Sequence, residues 1–338
     1  MSALQTFLDR APGETWGVVC EDGEPRRIFL SRDEDHSANR LEAESIGRVT
    51  ALLPGGGGAF VDLGAGEPFG FLPKGAAAVG EAVHVAVTAE PRGGKGPTLK
   101  RIGDGQGRPR LLKPGPGVAD WLTRTAPGVM PETGAVAIEI VRESRELALA
   151  RTILEGGLDV AVERTRAMVT VDIDHAGDAG RDGMRARLAA NRRGMTLAAR
   201  RIALKSWAGL VAIDLVGTSL PPEPVMAGAK ISFQDTGVTF GPLSRFGVLQ
   251  LSLPWTHTPI EEVLFGLSGE RRRRTDQIDA VRTLRHALAT DRSSPWVTLA
   301  VPEGEAGDIA SLTVGLGPRG RVVADPGLAV GTYGLREG

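Results

Sequence analysis

Cysteine and long apolar runs are scarce in this chain, and each scarcity excludes a kind of structure. The 338 residues include a single cysteine, Cys20, which rules out an intramolecular disulfide and a cysteine-rich zinc site. No run approaches the roughly 18 uninterrupted apolar residues of a membrane-spanning helix. The first residues lack a basic region followed by an apolar stretch, so no secretory signal is expected. The sequence therefore predicts a cytoplasmic protein with no structural zinc and no membrane partner.

The positive charge of the chain comes mainly from arginine and little from lysine. The formal net charge is −1, so any attraction to nucleic acid must come from local patches. The 40 basic side chains are almost all arginine, which favours forked contacts to phosphate and stacking on bases. A GC-rich coding sequence would produce the same bias without any function.

The first third of the chain has the pattern of short strands. Residues 16–30 predict two strands around an Asp22-Gly23 turn. From 47 to about 102, short β-type runs are interrupted by glycine and proline, which predicts a small barrel.

The middle of the chain predicts a strand–helix–strand unit. Strand-like runs occupy 134–150 and 157–174, and the spacing of apolar residues predicts a helix over 181–207. A short apolar run, 209–216, is typical of a strand that is buried on both faces. The order across 167–216 is that of a βαβ unit.

Carboxylates occur at the ends of the two predicted strands of this unit. Side chains alternate along a strand, so Asp172 and Asp174 share one face. Asp214 directly follows the second apolar run. Three such carboxylates could form an Mg²⁺ pocket, because Mg²⁺ prefers one or two carboxylates together with several waters. Acids at strand ends that are simply solvated, or that cap a turn, are the alternative.

Residues 156–174 begin with Gly156-Gly157 and end with Asp172-Ile173-Asp174. This segment is similar to the catalytic-strand motif of the RNase E/G family of endoribonucleases, and further segments resemble that family in the same order along the chain. Residues 191–214 resemble the helix that leads into the second catalytic Asp, and 244–252, with Ser244-Arg245-Phe246-Gly247, resemble the family's Arg-Phe-Gly segment. Residues 47–73 and 92–96 resemble its RNA-binding barrel and the basic loop that closes the barrel.

This resemblance implies an α+β fold of several subdomains. An OB-fold RNA-binding barrel, 45–102, would be inserted into an RNase H-like subdomain made of 1–44 and 103–155. A DNase I-like catalytic subdomain, 156–254, would follow, and then a small C-terminal α/β unit, 255–338, with an arginine run and a predicted helix.

The resemblance also implies the site residues. Asp172 and Asp214 would be the Mg²⁺ ligands, and Asp174 would stand where the family has an Asn that positions the scissile phosphate or the attacking water. That replacement adds negative charge beside the metal, which could attract a second ion or repel the phosphate. The family's zinc-linking cysteine motif is missing, so no zinc-joined assembly is expected.

Phe60, Phe71, Lys95 and Arg245 are the predicted RNA contacts. Exposed aromatic side chains on a barrel face stack on bases. Pattern alone leaves open whether these phenylalanines point outward or fill the barrel core; the resemblance favours RNA platforms. The run Arg271–Arg274 is a further possible RNA contact, although such runs are usually solvated.

The sequence thus predicts an Mg²⁺-dependent endoribonuclease that hydrolyses single-stranded RNA in RNA processing or decay, as a monomer or small homo-oligomer. One alternative is a non-catalytic RNA-binding protein that kept the scaffold. Another is an interaction protein that uses the same fold. Asp172 and Asp214 favour the first, and the barrel residues favour either RNA-binding hypothesis over the third.

Overall fold

The structure is a computed structural model that describes residues 3–73, 78–175, 183–234, 237–266 and 269–338. It is a mixed α+β protein, as predicted. The chain divides into two compact units, Met1–Ser144 together with Ile260–Gly338, and Arg145–Pro259. The four subdomains expected from the family resemblance are a finer division, and they stay predictions. No helix of the described residues is long and apolar enough to cross a membrane.

The first unit begins with a three-stranded antiparallel meander. Its strands are β1 (Leu4–Ala11), β2 (Glu14–Glu21) and β3 (Glu24–Arg32). Asp22 and Gly23, both with positive φ, form the tight turn between β2 and β3 that the sequence predicts. Helix α1 (Val118–Thr125) packs on this sheet above Gly17, where a Cβ atom would lie only 2.6 Å from Val118.

A closed five-stranded barrel follows, and its closure confirms the predicted small barrel. The strands are β4 (Glu44–Leu52), β5 (Ala59–Asp62), β6 (Gly70–Leu72), β7 (Ala82–Ala89) and β8 (Thr98–Asp104). Their order is β5-β6-β8-β7-β4, and β4 also pairs with β5, which closes the ring. A further strand, β9 (Arg110–Lys113), pairs with β4. The inward residues of the five strands form one apolar core, and this architecture is consistent with an OB-like barrel.

Helix α2 (Ala135–Leu149) corrects the strand-like interpretation of 134–150. Its residues Ala137, Val141, Ser144 and Ala148 are all fully buried. These positions are three or four apart, so they lie on one stripe of a helix, whereas alternation would have placed them on both faces of a strand. The β-branched residues at the start of the segment hid this period.

The second unit contains a six-stranded sheet with order β10-β11-β12-β13-β15-β14. The strands are β10 (Thr152–Glu155), β11 (Leu158–Arg164), β12 (Val169–His175), β13 (Gly209–Asp214), β14 (Thr239–Phe240) and β15 (Val248–Leu253). β12 and β13 form a parallel pair connected through α3 (Met184–Leu204), which is the predicted βαβ unit. Helices α3 and α4 (Pro222–Ser232) contribute to the core on one face, while alternate strand residues on the other are exposed or half-exposed.

The last residues of the first unit form a small α/β arrangement. Helices α5 (Ile260–Leu264) and α6 (Arg273–Thr290) come first, followed by strand β16 (Val297–Pro302), helix α7 (Ala306–Leu312) and strands β17 (Gly320–Asp325) and β18 (Gly334–Glu337). The sheet order is β17-β16-β18, with β17 parallel and β18 antiparallel to β16. Ile278, Val281 and Leu284 of α6 share an apolar core with this sheet.

A buried ionic network joins α6 to the amino-terminal meander. The Arg282 guanidinium donates to Asp9 at 2.8 Å and to Glu14 at 2.6 Å. Arg32 donates to the Thr275 hydroxyl at 2.6 Å. Burial opposes the charge on Arg282, but the carboxylates of Glu14 and Asp9 outweigh it and raise the pKa of Arg282 above its ordinary value. These residues specify how α6 meets the first sheet, since a buried charge requires its partner.

Candidate active site

Asp172 and Asp214 lie side by side at neighbouring positions of the two parallel strands. The register of β12 and β13 pairs Asp172 directly with Asp214. Adjacent strands are about 4.8 Å apart, so the two side chains start from neighbouring positions on one sheet face. Val171 and Ile213, which precede them, are buried on the opposite face. The alternation of a half-buried strand therefore presents both carboxylates together.

Asp174 lies on the same face, two residues beyond Asp172, and faces another acid. The antiparallel register of β11 and β12 pairs Asp174 with Asp159. One oxygen of Asp174 accepts the backbone N–H of His175 at 2.7 Å. Asp159 was not predicted as a site residue, although it lies in the segment that resembles the catalytic-strand motif. Only the strand register reveals that it faces Asp174.

The sheet face that carries Asp172, Asp174 and Asp214 is acidic. Burial raises the pKa of Asp172 above its usual value, and the negative charges of Asp214, Asp174 and Asp159 raise it further. A cavity of about 370 Å³ opens at this point, lined by Asp172, Asp214 and Glu163 together with smaller side chains of the strands. The neighbouring groups that shift the pKa of Asp172 are thus all carboxylates.

These residues fit an Mg²⁺ ion held by two carboxylates. Within the described ranges, no group of three or more His, Cys, Asp and Glu side chains is arranged to hold a metal. Mg²⁺ does not require such a group, because it commonly takes one or two carboxylates and keeps several waters. The paired Asp172 and Asp214 supply that donor set, and their mutual repulsion is what a cation would relieve.

Helix α3 supports β12 and β13, the two strands that carry Asp172 and Asp214, from the opposite face. Asn191 is buried, and its side chain bonds both the N–H and the C=O of Val216, two residues after Asp214. Gly194 allows the helix to approach β12, because a Cβ atom there would lie 2.5 Å from Ile173, the residue between Asp172 and Asp174. Sequence reasoning placed Asn191 in the motif but assigned neither residue a role.

The Arg-Phe-Gly segment forms a turn against the chain that follows Asp214. The Ser244 hydroxyl accepts the backbone N–H of Val248 at 3.1 Å. Gly247 has a φ of 86°, and a Cβ atom there would lie 2.7 Å from the Gly217 carbonyl oxygen. Glycine is thus required at 247 by a close approach as well as by backbone conformation. Arg245 is exposed, with its guanidinium carbon 4.7 Å from the centre of the Phe246 ring.

In the barrel, Phe60 and Phe71 lie on the outer surface. They are directly paired across β5 and β6, with ring centres 5.8 Å apart and an interplanar angle of 53°. Both are half-exposed, whereas their neighbours Val61 and Leu72 are buried in the core. The ambiguity between core and surface is resolved in favour of the surface by strand alternation.

Lys95 is exposed in a two-glycine turn. Arg92 and Lys95 exchange backbone hydrogen bonds across Gly93 and Gly94, both of which have positive φ. The Gly93 N–H also donates to the carboxylate of Glu262, on α5. An anion therefore already contacts the backbone of this basic loop.

The arginine run 271–274 is largely occupied within the structure. Arg271 bonds Asp276 and Asp279, Arg272 donates to backbone carbonyls, and Arg273 donates to the buried Glu305 at 2.6 Å. These contacts fix the start of α6, and a role of the run in contacting RNA stays a prediction.

No protein-family model matches this chain, and no curated protein matches it. The likeness to the RNase E/G family therefore depends on the segments quoted above.

Proposed function

We propose that this protein is an Mg²⁺-dependent endoribonuclease that hydrolyses phosphodiester bonds in single-stranded RNA. The observation that carries the proposal is the direct pairing of Asp172 with Asp214 on an exposed sheet face that also contains Asp174. A barrel with a surface pair of aromatic rings, on the same chain, supports RNA as the substrate. The biological role would be RNA processing or decay in the cytoplasm, carried out by a monomer or small homo-oligomer.

Asp172 and Asp214 would hold the ion. When bound, Mg²⁺ would supply positive charge that polarises the phosphodiester and lowers the pKa of a coordinated water. Asp174, on the same face, would orient the attacking water or the phosphate. Hydrolysis joins the water oxygen to phosphorus and breaks the bond to the 3′ oxygen, which takes a proton. The products would carry a 5′ phosphate and a 3′ hydroxyl.

The remaining proposed residues bind the substrate. Phe60 and Phe71 present ring faces to bases without a sequence requirement, because every base has a π-face. Lys95 and Arg245 are exposed cations that would contact phosphates. Counterions would be released by these contacts, so affinity should fall steeply with salt.

A non-catalytic RNA-binding protein is the second candidate. The observation that favours it is the direct opposition of Asp174 and Asp159, which adds negative charge beside the position that a scissile phosphate would occupy. Such a protein would retain the barrel contacts and lose hydrolysis.

One experiment separates the two candidates. Purified protein is incubated with end-labelled single-stranded RNA in Mg²⁺, and in EDTA, while binding is measured in both buffers. Cleavage that requires Mg²⁺ supports the endoribonuclease. Binding with no cleavage across a range of Mg²⁺ and Mn²⁺ concentrations would establish the second candidate. Absence of binding as well would refute both.

A further inference from the structure

The outer face of the carboxyl-terminal sheet carries an exposed aromatic–cation pair. Trp296 is 39% exposed, immediately before β16. The Arg321 guanidinium carbon, on the neighbouring strand β17, lies 4.4 Å from the centre of the Trp296 ring. Within the described part of the chain, the Arg321 guanidinium makes no hydrogen bond or ion pair. Its charge is thus still available to a ligand that also stacks.

A second arginine extends this surface across the sheet. Thr298 of β16 is paired with Arg321 on one side and with Arg336 of β18 on the other. All three side chains therefore share one face, and the two arginines start about 10 Å apart, because each strand spacing is about 4.8 Å. Val323, 48% exposed, lies two residues beyond Arg321 on the same strand face. We name Trp296, Arg321, Val323 and Arg336 the Trp296 face.

Hydrogen bonds fix the loop 291–295, which precedes Trp296. The Arg319 guanidinium donates to the carbonyl oxygens of Asp291 and Ser294, at 2.8 and 2.7 Å. The Asp291 carboxylate accepts the backbone N–H of Ser293 at 2.8 Å and its hydroxyl at 2.7 Å. A ligand that binds Trp296 therefore meets a ring whose position is already determined, which lowers the entropic penalty of binding.

We propose that the Trp296 face is a second binding surface for single-stranded RNA, separate from the barrel. A base would stack on the Trp296–Arg321 pair, since planar guanidinium and indole groups both accept a π-face. Phosphates would bind the forks of Arg321 and Arg336. The acidic side chain of Asp325 bonds Arg336 at 2.7 Å, so Arg321 is the cation of this face that a phosphate would meet first. The exposed stacking pair favours nucleic acid over an acidic peptide, which would need the cations but no flat aromatic surface.

The test uses the full chain in EDTA, so that RNA is bound but not cut. The probe is a short single-stranded RNA containing 4-thiouridine, and the measurements are affinity and the positions of photocrosslinks. Trp296→Ala should raise Kd roughly fivefold or more, and Trp296→Phe should keep most of the affinity. Arg321→Gln should weaken binding and reduce its salt dependence. Crosslinks should occur at the Trp296 face.

Arg10→Gln is the matched control, because Arg10 is an exposed arginine on β1 whose loss removes the same charge. The variants are repeated in a Phe60→Ala/Phe71→Ala background, so that failure of the barrel proposal and failure of this one are distinguishable. A Trp296→Ala protein that binds within twofold of wild type, or crosslinks confined to other segments, would overturn the proposal. Binding of poly-glutamate is measured in parallel. If Trp296→Ala or Arg321→Gln loses poly-glutamate binding but keeps RNA binding, the face binds an acidic protein partner, which would equally overturn the proposal.

Discussion

The Asn191 side chain holds the backbone of Val216 by two hydrogen bonds, accepting its N–H at 2.8 Å and donating to its C=O at 3.2 Å. Val216 lies two residues after Asp214, so this contact connects helix α3 to the chain that follows the second proposed metal ligand. The amide is the natural side chain here, because it offers one acceptor and one donor.

Asn191→Ala should therefore destabilise the protein by about 1–3 kcal/mol, since two backbone groups lose a buried partner. The displaced strand end should also slow RNA cleavage more than it weakens RNA binding. Urea unfolding and single-turnover kinetics measure the two effects. Thr196→Ala, an exposed change on the same helix, is the control and should stay within about 0.5 kcal/mol of wild type. Equal effects from both variants would show that Asn191 has no special positioning role.

Removing either proposed metal ligand should abolish cleavage and spare binding. Asp172→Asn and Asp214→Asn each leave a side chain of the same size while removing a carboxylate that Mg²⁺ requires. Cleavage assays, RNA affinity and Mn²⁺ binding followed by electron paramagnetic resonance provide separate measurements. Asp174→Asn is the matched control: it should retain metal binding, and cleavage should be maintained or faster because less negative charge faces the phosphate. A variant at 172 or 214 that cuts at a near wild-type rate would show that the residue was misassigned.

The surface phenylalanines should affect binding without affecting folding. Phe60→Ala and Phe71→Ala should each weaken single-stranded RNA binding by about 1–3 kcal/mol, because each removes a stacking surface. Leu72→Ala serves as the comparison, since Leu72 is buried beside Phe71. That variant should lose about 2–5 kcal/mol of stability through a cavity. Affinity is measured on folded protein at low temperature. Unchanged affinity in both phenylalanine variants would remove the barrel from the proposed substrate path.

Breaking the buried network of Arg282 should strongly destabilise the first unit. Arg282→Ala should cost about 3–5 kcal/mol, because it removes the buried cation that bonds both Asp9 and Glu14 and leaves each carboxylate with one remaining arginine, Arg285 and Arg32 respectively. Arg142→Ala is the control, since its ion pair with Glu139 is on the surface and should contribute only about 0–1 kcal/mol. Thermal unfolding of both variants decides the matter. A small effect of Arg282→Ala would mean that Arg285 and Arg32 are sufficient partners for the two carboxylates.

The loop before Trp296 should have a specific acid sensitivity. Hydrogen bonds from Ser294 and Ser293 lower the pKa of Asp291 well below its ordinary 3.8. A lowered carboxyl pKa stabilises the fold at pH values above 3.8, and the contribution is lost as the pH falls through the lower value of the folded state. Asp291→Asn should therefore be less stable than wild type at pH 7, and the difference should shrink in strong acid. Ser293→Ala should show part of the same behaviour in thermal unfolding across pH. A difference that is constant with pH would exclude this origin.

Local patterns in the sequence were enough to predict several elements of this protein. The Asp22-Gly23 turn, the barrel, the βαβ unit and the shared face of Asp172 and Asp174 follow from turn chemistry and from side-chain periodicity, which act over a few residues. Helix α2 was missed because the β-branched residues at its start fit the two-residue period of a strand as well as the period of a helix. The strand–helix–strand order also predicted that Asp214 lies beside Asp172 and Asp174, and the resemblance added the roles of these residues.

Tertiary structure alone decided the relationships between distant residues. The opposition of Asp159 and Asp174 depends on strand register, and the outward direction of Phe60 and Phe71 depends on which face closes the barrel. The partners of Asn191, of Arg282 and of the run 271–274 are set by packing between separate elements. A sequence states which side chains can bond, but only the fold brings a particular donor within about 3 Å of a particular acceptor.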